Sequence, residues 1–211
     1  TDSQLLTINN TNFYNNNFSS IITSSQSSIL INNSIFYANN VSGSAIVQNR
    51  GQLTIENSKF NGLASKMGGI IAYKGDHFTI KKSEFLNSHA DLNGGAIITK
   101  FFPIYDYDTE SFIRSDENLI EDCTFHNLSA SNDGGAIYFD MDSGSSHIPT
   151  GLNIINSNFT DCSSAYGGAL AIQGNKLIVE NSNFKDNSAK VHGGAIYTTW
   201  CAVTLTDSSL T

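Results

Sequence analysis

Acidic residues that could bind a metal ion are concentrated in two segments, residues 99–118 and 140–151. Their alternating carboxylates are Asp106, Asp108, Glu110, Asp140 and Asp142. Carboxylate oxygens are the ligands that a hard cation such as Ca²⁺ prefers. The second segment begins Asp-Met-Asp-Ser-Gly but lacks the later bidentate Glu of an EF-hand loop. These five residues are therefore candidate calcium ligands, with a solvated acidic loop as the alternative, and no other cofactor is expected.

The residues that could catalyse a reaction do not form a recognisable constellation. Glycoside hydrolysis needs two converging carboxylates, but Asp161 and Asp186 both lie two residues after a Phe, which is more typical of turn residues. The five histidines lie at non-equivalent places in the sequence repeat, so a histidine cluster for metal binding or catalysis is not expected. The chain has no Gly-x-Ser-x-Gly nucleophile elbow. The sequence therefore predicts a protein that is not an enzyme.

Six Asn-x-Ser/Thr sequons are candidate N-glycosylation sites. They are Asn9, Asn17, Asn32, Asn40, Asn127 and Asn158. A chain this rich in Asn, Ser and Thr contains nearly as many by chance, so the number is no argument for secretion. Because Asn158 precedes an inward-facing Phe, we expect its side chain to point outward, where a glycan could be attached.

A repeat carries all these residues. Its frame is an apolar-x-apolar strand, Asn-Ser-x-Phe, a polar turn and Gly-Gly-Ala-Ile, and the regular units are 23 to 26 residues long. The distance from the second Gly of one unit to the Phe of the next is 16 residues in regular units, but 30 from Gly95 and 24 from Gly135. The two acidic segments are therefore insertions at the same place in neighbouring units.

The repeat predicts short strands that stack. Apolar and polar residues alternate over four to six residues, which is typical of half-buried strands. One unit cannot bury its apolar face alone, whereas units stacked about 4.8 Å apart share a continuous core. The predicted stack of aromatic rings is Phe13, Phe36, Phe60, Phe85, Phe125, Phe159 and Phe184. The predicted tight turns are Gly69, Gly95, Gly135, Gly168 and Gly194.

The fold class that explains this pattern is all-β: a parallel β-helix, or pectin-lyase-like β-solenoid, of about seven to eight coils. We expect a single domain over residues 1–211, with the two insertions projecting side by side. The Asn column three residues before each Phe is expected to hydrogen-bond the amides of neighbouring coils. Cys123 occupies a Ser position and should be a small buried residue, and free thiols are expected for all three cysteines.

Composition and charge exclude several classes of partner. Charged residues make up 14% of the chain and the net charge is −8, with no cluster of basic residues, so nucleic acid binding is not expected. No apolar run is long enough for a transmembrane helix. Hydrophobic residues make up 39%, which is too many for a disordered chain.

Phe184, Asn187 and the segment 193–196 resemble the paired Phe-x-x-Asn and Gly-Gly-Ala-Ile motifs of the polymorphic outer-membrane protein family, named from chlamydial surface proteins. Similar repeats occur in large surface proteins of protists such as ciliates, and the Asn- and Ser-rich composition would suit such a source. The resemblance covers nearly all of the chain. It implies that the β-helix is right-handed, lies at a cell surface, has an adhesive or structural role and has no catalytic residues.

These observations predict a non-catalytic extracellular or cell-surface module: a stalk, an adhesin or a filament subunit. Neither end of the sequence shows a polar cap, so the expected partner is a second copy stacked end to end or a continuation of the same β-helix in a longer chain. A cell-surface protein or glycan is a further candidate partner, with the insertions as the contact surface. The alternatives are a carbohydrate-active β-helix enzyme, either a polysaccharide lyase or a hydrolase, and a calcium-dependent adhesion module.

Overall fold

The chain forms a parallel β-helix in which successive coils contribute strands to three sheets. The computed structural model describes residues 4–17, 19–37, 43–66, 68–75, 77–101, 105–106, 111–112, 118–141, 151–174 and 176–211. For residues 101, 105–106, 111–112 and 141 it describes the backbone alone. Within the described ranges all regular structure is β, which confirms the predicted fold class.

The strands, numbered in chain order, fall into three parallel sheets and one short hairpin. The first sheet comprises β1 (Leu5–Asn9), β4 (Ser28–Asn32), β7 (Leu53–Glu56), β11 (Phe78–Lys81), β16 (Asn118–Glu121), β19 (Gly151–Ile155), β23 (Lys176–Glu180) and β27 (Ala202–Thr206). The second sheet comprises β3 (Ile22–Ser25), β6 (Ile46–Asn49), β10 (Ile71–Lys74), β13 (Ile97–Phe101), β18 (Ile137–Met141), β22 (Leu170–Gln173) and β26 (Ile196–Thr199).

The third sheet carries the phenylalanines of the repeat. It comprises β2 (Asn12–Tyr14), β5 (Ile35–Tyr37), β8 (Lys59–Asn61), β9 (Ala64–Ser65), β12 (Glu84–Ala90), β17 (Thr124–Ala130), β20 (Asn158–Thr160), β21 (Ser163–Tyr166), β24 (Asn183–Lys185), β25 (Ser188–His192) and β28 (Ser209–Leu210). The hairpin pairs β14 (Tyr105–Asp106) with β15 (Ser111–Phe112) inside the first insertion. In each coil the chain runs from the first sheet to the third and then to the second.

The register of the sheets aligns equivalent residues of successive coils. Ile80 pairs with Ile120 in the first sheet, and Ile97 pairs with Ile137 in the second. All four side chains are buried, at 0–1% exposure. Because alternate residues of a strand point to opposite faces, the apolar positions of the repeat fill the interior and the polar positions face solvent. The continuous core that the repeat predicts is therefore present.

The seven predicted phenylalanines form one internal stack. Neighbouring ring centroids are 4.5 to 4.9 Å apart, and neighbouring ring planes differ by 15° or less. Rings from Phe36 to Phe184 are fully buried, whereas Phe13 in the first coil is partly exposed. The ring separation matches the spacing of hydrogen-bonded strands, so each ring packs on the next without strain.

The glycine doublet turns the chain from the third sheet to the second. The first glycine of one doublet, Gly134, has φ +64, a conformation that favours glycine. The second, Gly135, has no room for a side chain, because an added Cβ would lie 2.0 Å from the carbonyl oxygen of Gly168 in the next coil. Backbone also blocks an added Cβ at Gly69, Gly95 and Gly168, but at Gly194 the nearest atom is 3.8 Å away.

Serines, and not the asparagines before them, bond the amides of neighbouring coils. The Ser34 amide donates to the Ser58 hydroxyl at 3.2 Å, and the Ser157 amide donates to the Ser182 hydroxyl at 3.0 Å. The expectation for the Asn column is therefore wrong. Asn33, for example, has φ 49, and its exposed side-chain amide donates to the carboxamide oxygen of Asn10. Its column supplies left-handed turn residues, a conformation that Asn tolerates well.

The cysteines are free thiols, as predicted. Cys123 continues the buried serine column: its amide donates to the Ser157 hydroxyl at 3.2 Å, and its thiol donates to the Glu121 carbonyl at 3.2 Å. Burial raises its pKa to about 11 and raises the pKa of Cys162 to about 12. Both thiols therefore behave as small core side chains and not as nucleophiles.

Candidate interaction surface

The outer face of the third sheet carries a groove of about 300 Å³ across strands β12, β17, β21 and β25. The side chains that define it, called here the serine groove, are His89, Ser129, Ser131, Ser163, Ser188 and Lys190. Small side chains recur here because the residue four places after each stacked Phe is Ser in three successive coils. The concavity therefore follows from the repeat itself and does not depend on the insertions.

Parallel pairing aligns the groove along the axis of the β-helix. His89 pairs with Ser129, Ser129 with Ser163, and Ser163 with Ser188. The groove thus crosses four coils, which at the usual strand spacing is a length of about 14 Å. His89 stands at one end and Lys190 at the other. A linear ligand of this length would touch every coil in turn.

One end of the groove holds a chain of polar contacts. The His89 Nδ1 atom is 2.8 Å from the Ser129 hydroxyl oxygen, and its Nε2 atom is 3.4 Å from a carboxylate oxygen of Asp91. The His89 and Asp91 side chains are about half exposed. The backbone amides of His89, Asp91 and Ser131 all donate to carbonyls of the preceding coil. Ser129, His89 and Asp91 are the residue types of a catalytic triad. Such a site also needs free N–H groups that stabilise an oxyanion, and the amides of His89, Asp91 and Ser131 are not free because each already donates to a carbonyl.

A second histidine makes an equivalent link on the same face. The His126 Nδ1 atom is 2.9 Å from the Thr160 hydroxyl oxygen and 3.3 Å from a carboxylate oxygen of Asp161. Asp161 has φ 55, as does Asp186, so both acids are turn residues, as the sequence predicts. Each histidine therefore contacts a hydroxyl of the next coil, His89 that of Ser129 and His126 that of Thr160, so the two contacts lie at different positions on the sheet.

A β-bulge separates the groove from an aromatic cluster. Ser164 pairs with Ala189 and Tyr166 pairs with His192, so strand β25 holds one extra residue between these pairs. Beyond the bulge, Tyr166, His192 and Tyr197 pack together with ring centroids 5.3 to 6.5 Å apart. Bulges re-aim side chains at the edge of a sheet. Here the bulge is followed by a partly exposed aromatic wall at the corner between the third sheet, which holds Tyr166 and His192, and the second sheet, which holds Tyr197. The wall stands beside the groove and outside the residues that line it.

Acidic groups lie behind this aromatic wall. Asp133 bridges to Tyr166 through backbone pairing, and burial raises the pKa of its carboxyl above the usual value. Burial raises the pKa of Tyr138 to about 12, with smaller contributions from the charges of Asp140 and Asp133. The Tyr138 phenol is thus protonated at every physiological pH, and its hydroxyl remains a hydrogen-bond donor.

The structure bears only in part on the predicted calcium ligands. Asp108, Glu110 and Asp142 lie outside the described residues, and only the backbone of Asp106 is described. Asp140 is half-buried, lies opposite Lys100 in the pairing of β13 with β18, and hydrogen-bonds the Tyr138 side chain. In the part of the chain that is described, no group of three His, Cys, Asp or Glu side chains could hold a metal ion. The calcium site remains a prediction.

The strands that precede the two insertions, β13 and β18, are neighbours in the second sheet, so the insertions begin side by side. That they project side by side stays a prediction. Of the sequons, those that are exposed are Asn9, Asn17, Asn127 and Asn158. Asn32 is half-buried, and Asn40 lies outside the described residues. Asn158 faces outward as expected, but glycosylation itself stays a prediction. No described helix is long and apolar enough to span a membrane.

Residues 181–199 match the Chlamydia polymorphic membrane protein repeat. No curated protein and no solved structure matches the chain. The matched segment runs from the turn before β24 through Phe184, the bulged strand β25 and the glycine doublet to the end of β26. It thus includes one full corner of the β-helix, and this segment of the chain is similar to the repeat of Chlamydia polymorphic membrane proteins.

The motif Asn of this repeat has a structural task. The Asn187 carboxamide oxygen accepts a bond from the Cys162 amide, and its Nδ2 atom donates to the Phe159 carbonyl, each at 2.9 Å. It therefore satisfies the backbone of the preceding coil where the strand bends after Phe. Ser88 occupies the same position in its own coil, and its hydroxyl accepts a hydrogen bond from the Leu63 amide at 3.2 Å. A hydroxyl can therefore replace the carboxamide at this position, whereas Leu63, Leu128 and Cys162 at the same position in other coils are buried core side chains.

Sequence reasoning did not single out the serine groove. The signal was present, because Ser129, Ser163 and Ser188 each lie four residues after a stacked Phe. His89 occupies the same column, four residues after Phe85, although the other histidines lie elsewhere in the repeat. Comparing residues within one column, whatever their type, would have placed it next to Ser129.

Proposed function

We propose that the chain is a non-catalytic module of a cell-surface protein with an adhesin-like role. The observation that carries this proposal is the match of residues 181–199 to the polymorphic membrane protein repeat, located on a coil whose geometry recurs along the chain. The β-helix supplies a stiff support, and its outer faces supply the contact surface. An extracellular or surface location follows from the same proposal.

The division between interior and outer face supports a binding role. The interior is filled by the phenylalanine stack and the isoleucine columns, whose side chains are fully buried. The outer face of the third sheet carries the serine groove, and solvent reaches its His89 end. Binding sites on rigid scaffolds of this kind do not require the fold to move.

The proposal of a non-catalytic role rests on the groove chemistry. A histidine that activates a serine is normally held by a carboxylate in a site from which water is excluded. Here His89 and Asp91 are half exposed, and the Asp91 contact is 3.4 Å long. Water competes for exposed polar contacts of this kind, so they contribute little. Ser129 is accordingly a hydrogen-bonding group and not a nucleophile.

Two measurements test the proposal. Antibodies raised against the folded chain should label unpermeabilised cells of the source organism, and labelling only after permeabilisation would contradict a surface location. Beads coated with the folded chain should adhere to cell layers, whereas beads coated with Phe125→Ala chain at a temperature where it is unfolded should not. Equal adhesion of both bead types would mean that the folded surface is not responsible.

A further inference from the structure

We propose that the serine groove binds a short uncharged oligosaccharide lying along the axis of the β-helix, with the aromatic cluster of Tyr166, His192 and Tyr197 as its stacking wall. This inference rests on the proposed surface function and names the ligand class. It depends on three independent features: a concave site, a floor of hydroxyls with a basic side chain at each end, and partly exposed aromatic rings beyond the bulge.

The floor of the groove matches the polar edge of a sugar. A serine hydroxyl both donates and accepts, as does each hydroxyl of a saccharide. Ser163 and Ser188 are neighbours across coils, so their hydroxyls repeat at the strand spacing of about 4.8 Å. Lys190 can donate up to three further hydrogen bonds at the far end. The spacing suits a ligand that also repeats its hydroxyls along a line.

The aromatic wall matches the apolar face of a sugar. Tyr166 and Tyr197 have ring centroids 5.3 Å apart, and both are half-buried, so one part of each ring is fixed and another part is open. Aromatic side chains with one fixed and one exposed side bury much area at little entropic cost. The C–H face of a pyranose ring can stack on such a surface while its hydroxyls reach the floor.

Other ligand classes fit less well. An extended peptide gains most of its affinity by adding a strand to a sheet edge, but the groove lies on the face of the third sheet. Of its four strands, β12, β17 and β21 pair on both sides and only β25 pairs on one side, so an added strand would lie beside the groove and not in it. Nucleic acids and sulfated glycans require a basic surface. Around the groove, the three carboxylates of Asp91, Asp161 and Asp186 stand beside the two ammonium groups of Lys185 and Lys190, and the whole chain carries a net charge of −8. The charge therefore favours an uncharged glycan.

The experiment uses the chain with four neutral trisaccharides as probes: maltotriose, cellotriose, mannotriose and chitotriose. A heparin-derived tetrasaccharide serves as the charged comparison. Binding is measured by saturation-transfer NMR and by titration calorimetry. We expect at least one neutral trisaccharide to bind with a Kd below about 1 mM. Binding of none of the four, or binding of the heparin fragment alone, overturns the proposal.

Variants locate the binding. The double variant Ser163→Val and Ser188→Val removes two hydroxyls while keeping residues that favour strands, and Tyr166→Ala removes part of the wall. Each should weaken binding of the neutral trisaccharide at least tenfold. Thr124→Val and Tyr14→Ala are matched controls on the same sheet outside the groove, and they should leave the Kd unchanged. Equal Kd values for groove variants and controls would overturn the proposal even if a trisaccharide binds.

The bead assay separates this inference from the proposed function. If beads coated with the Ser163→Val and Ser188→Val chain adhere as well as the parent, the adhesin-like role stands and the glycan groove is wrong. If the parent beads do not adhere while a trisaccharide binds the groove in solution, the groove stands and the adhesin-like role is wrong. The two failures therefore give different results.

Discussion

Two columns of serine lie at the third sheet and serve different purposes: one faces inward from the turn that enters the sheet, and the other lies on the outer face of the sheet. On the inner side Ser157 is fully buried, and its hydroxyl both accepts from the Cys123 amide and donates to the Ile155 carbonyl. On the outer side Ser163 is half exposed and lines the groove. The same side chain is thus a structural group where backbone surrounds it and a recognition group where water surrounds it.

The difference shows how a repeat can hold a fold constant while it presents a variable surface. The inner columns keep one residue type through successive coils because every coil offers the same enclosed space. The outer column that contains His89 and Ser129 can change from coil to coil, since each new side chain only meets solvent and its paired neighbours. Stability is therefore expected to depend on the inner side and binding on the outer side.

The largest expected difference between the two sides concerns adjacent residues. Phe125 is fully buried between two other rings, whereas His126 points outward and is exposed. Phe125→Ala should lower the free energy of unfolding by about 3–5 kcal/mol, because it leaves a cavity in the stack. His126→Ala should change it by less than about 1 kcal/mol. Urea unfolding followed by circular dichroism measures both, and similar values would refute the division into inner and outer sides.

An intermediate effect is expected from the serines themselves. Ser157→Ala should cost about 1–3 kcal/mol, because it leaves the buried Cys123 amide without its acceptor. Ser163→Ala should stay within about 0.5 kcal/mol, as is usual for surface substitutions. Thermal unfolding of the two variants and the parent measures both changes in stability. A cost at Ser163 equal to that at Ser157 would mean that the outer serine is also structural.

The smallest expected effect is a pH dependence of stability caused by Cys123, which occupies a serine position in the inner column. Burial holds its folded pKa near 11, against 9.0 for an unperturbed thiol. As pH rises above 9 the unfolded thiol loses its proton while the folded thiol keeps it, so the stability of the folded chain falls. Between pH 8 and 10 this group should account for about 1 kcal/mol of that loss.

The matched variant for this measurement is Cys123→Ser, which retains the hydrogen bonds of the column. Its unfolding free energy should fall less than that of the parent between pH 8 and 10. A thiol reagent at pH 8 should label Cys123 in the unfolded chain but not in the folded one. Rapid labelling of Cys123 in the folded chain would show that the inner side is open to solvent.

The sequence predicts the inner side almost completely, for a physical reason. Phe85 and Phe125, or Ile80 and Ile120, pair directly across coils, so a shared position in the repeat becomes a shared place in the core. Periodic apolar residues report burial, and burial is what a solenoid repeats. The fold class, the aromatic stack and the tight glycine turns could therefore be predicted from spacing alone.

The outer side could not be predicted in the same way. The bulge in β25 depends on one extra residue between Ala189 and His192, which no periodic signal marks. The contact of His89 with Ser129 needs the coils in register before it becomes visible. The prediction that the Asn column bonds the amides of neighbouring coils is wrong, because Ser does so instead. Both residue types accept hydrogen bonds, and only the turn conformation decides which of the two side chains faces inward.

The stacking of coils also has a mechanical consequence. A regular unit of 23 to 26 residues advances the β-helix by only about 4.8 Å, yet the same unit pulled straight reaches roughly 80 Å. The hydrogen bonds between coils lie along the axis, so a force applied along it acts on every interface between coils in series, and a coil at a loaded end, held on one side only, separates first. Under tension the chain would release its length coil by coil, acting as an extensible tether that lengthens before it breaks.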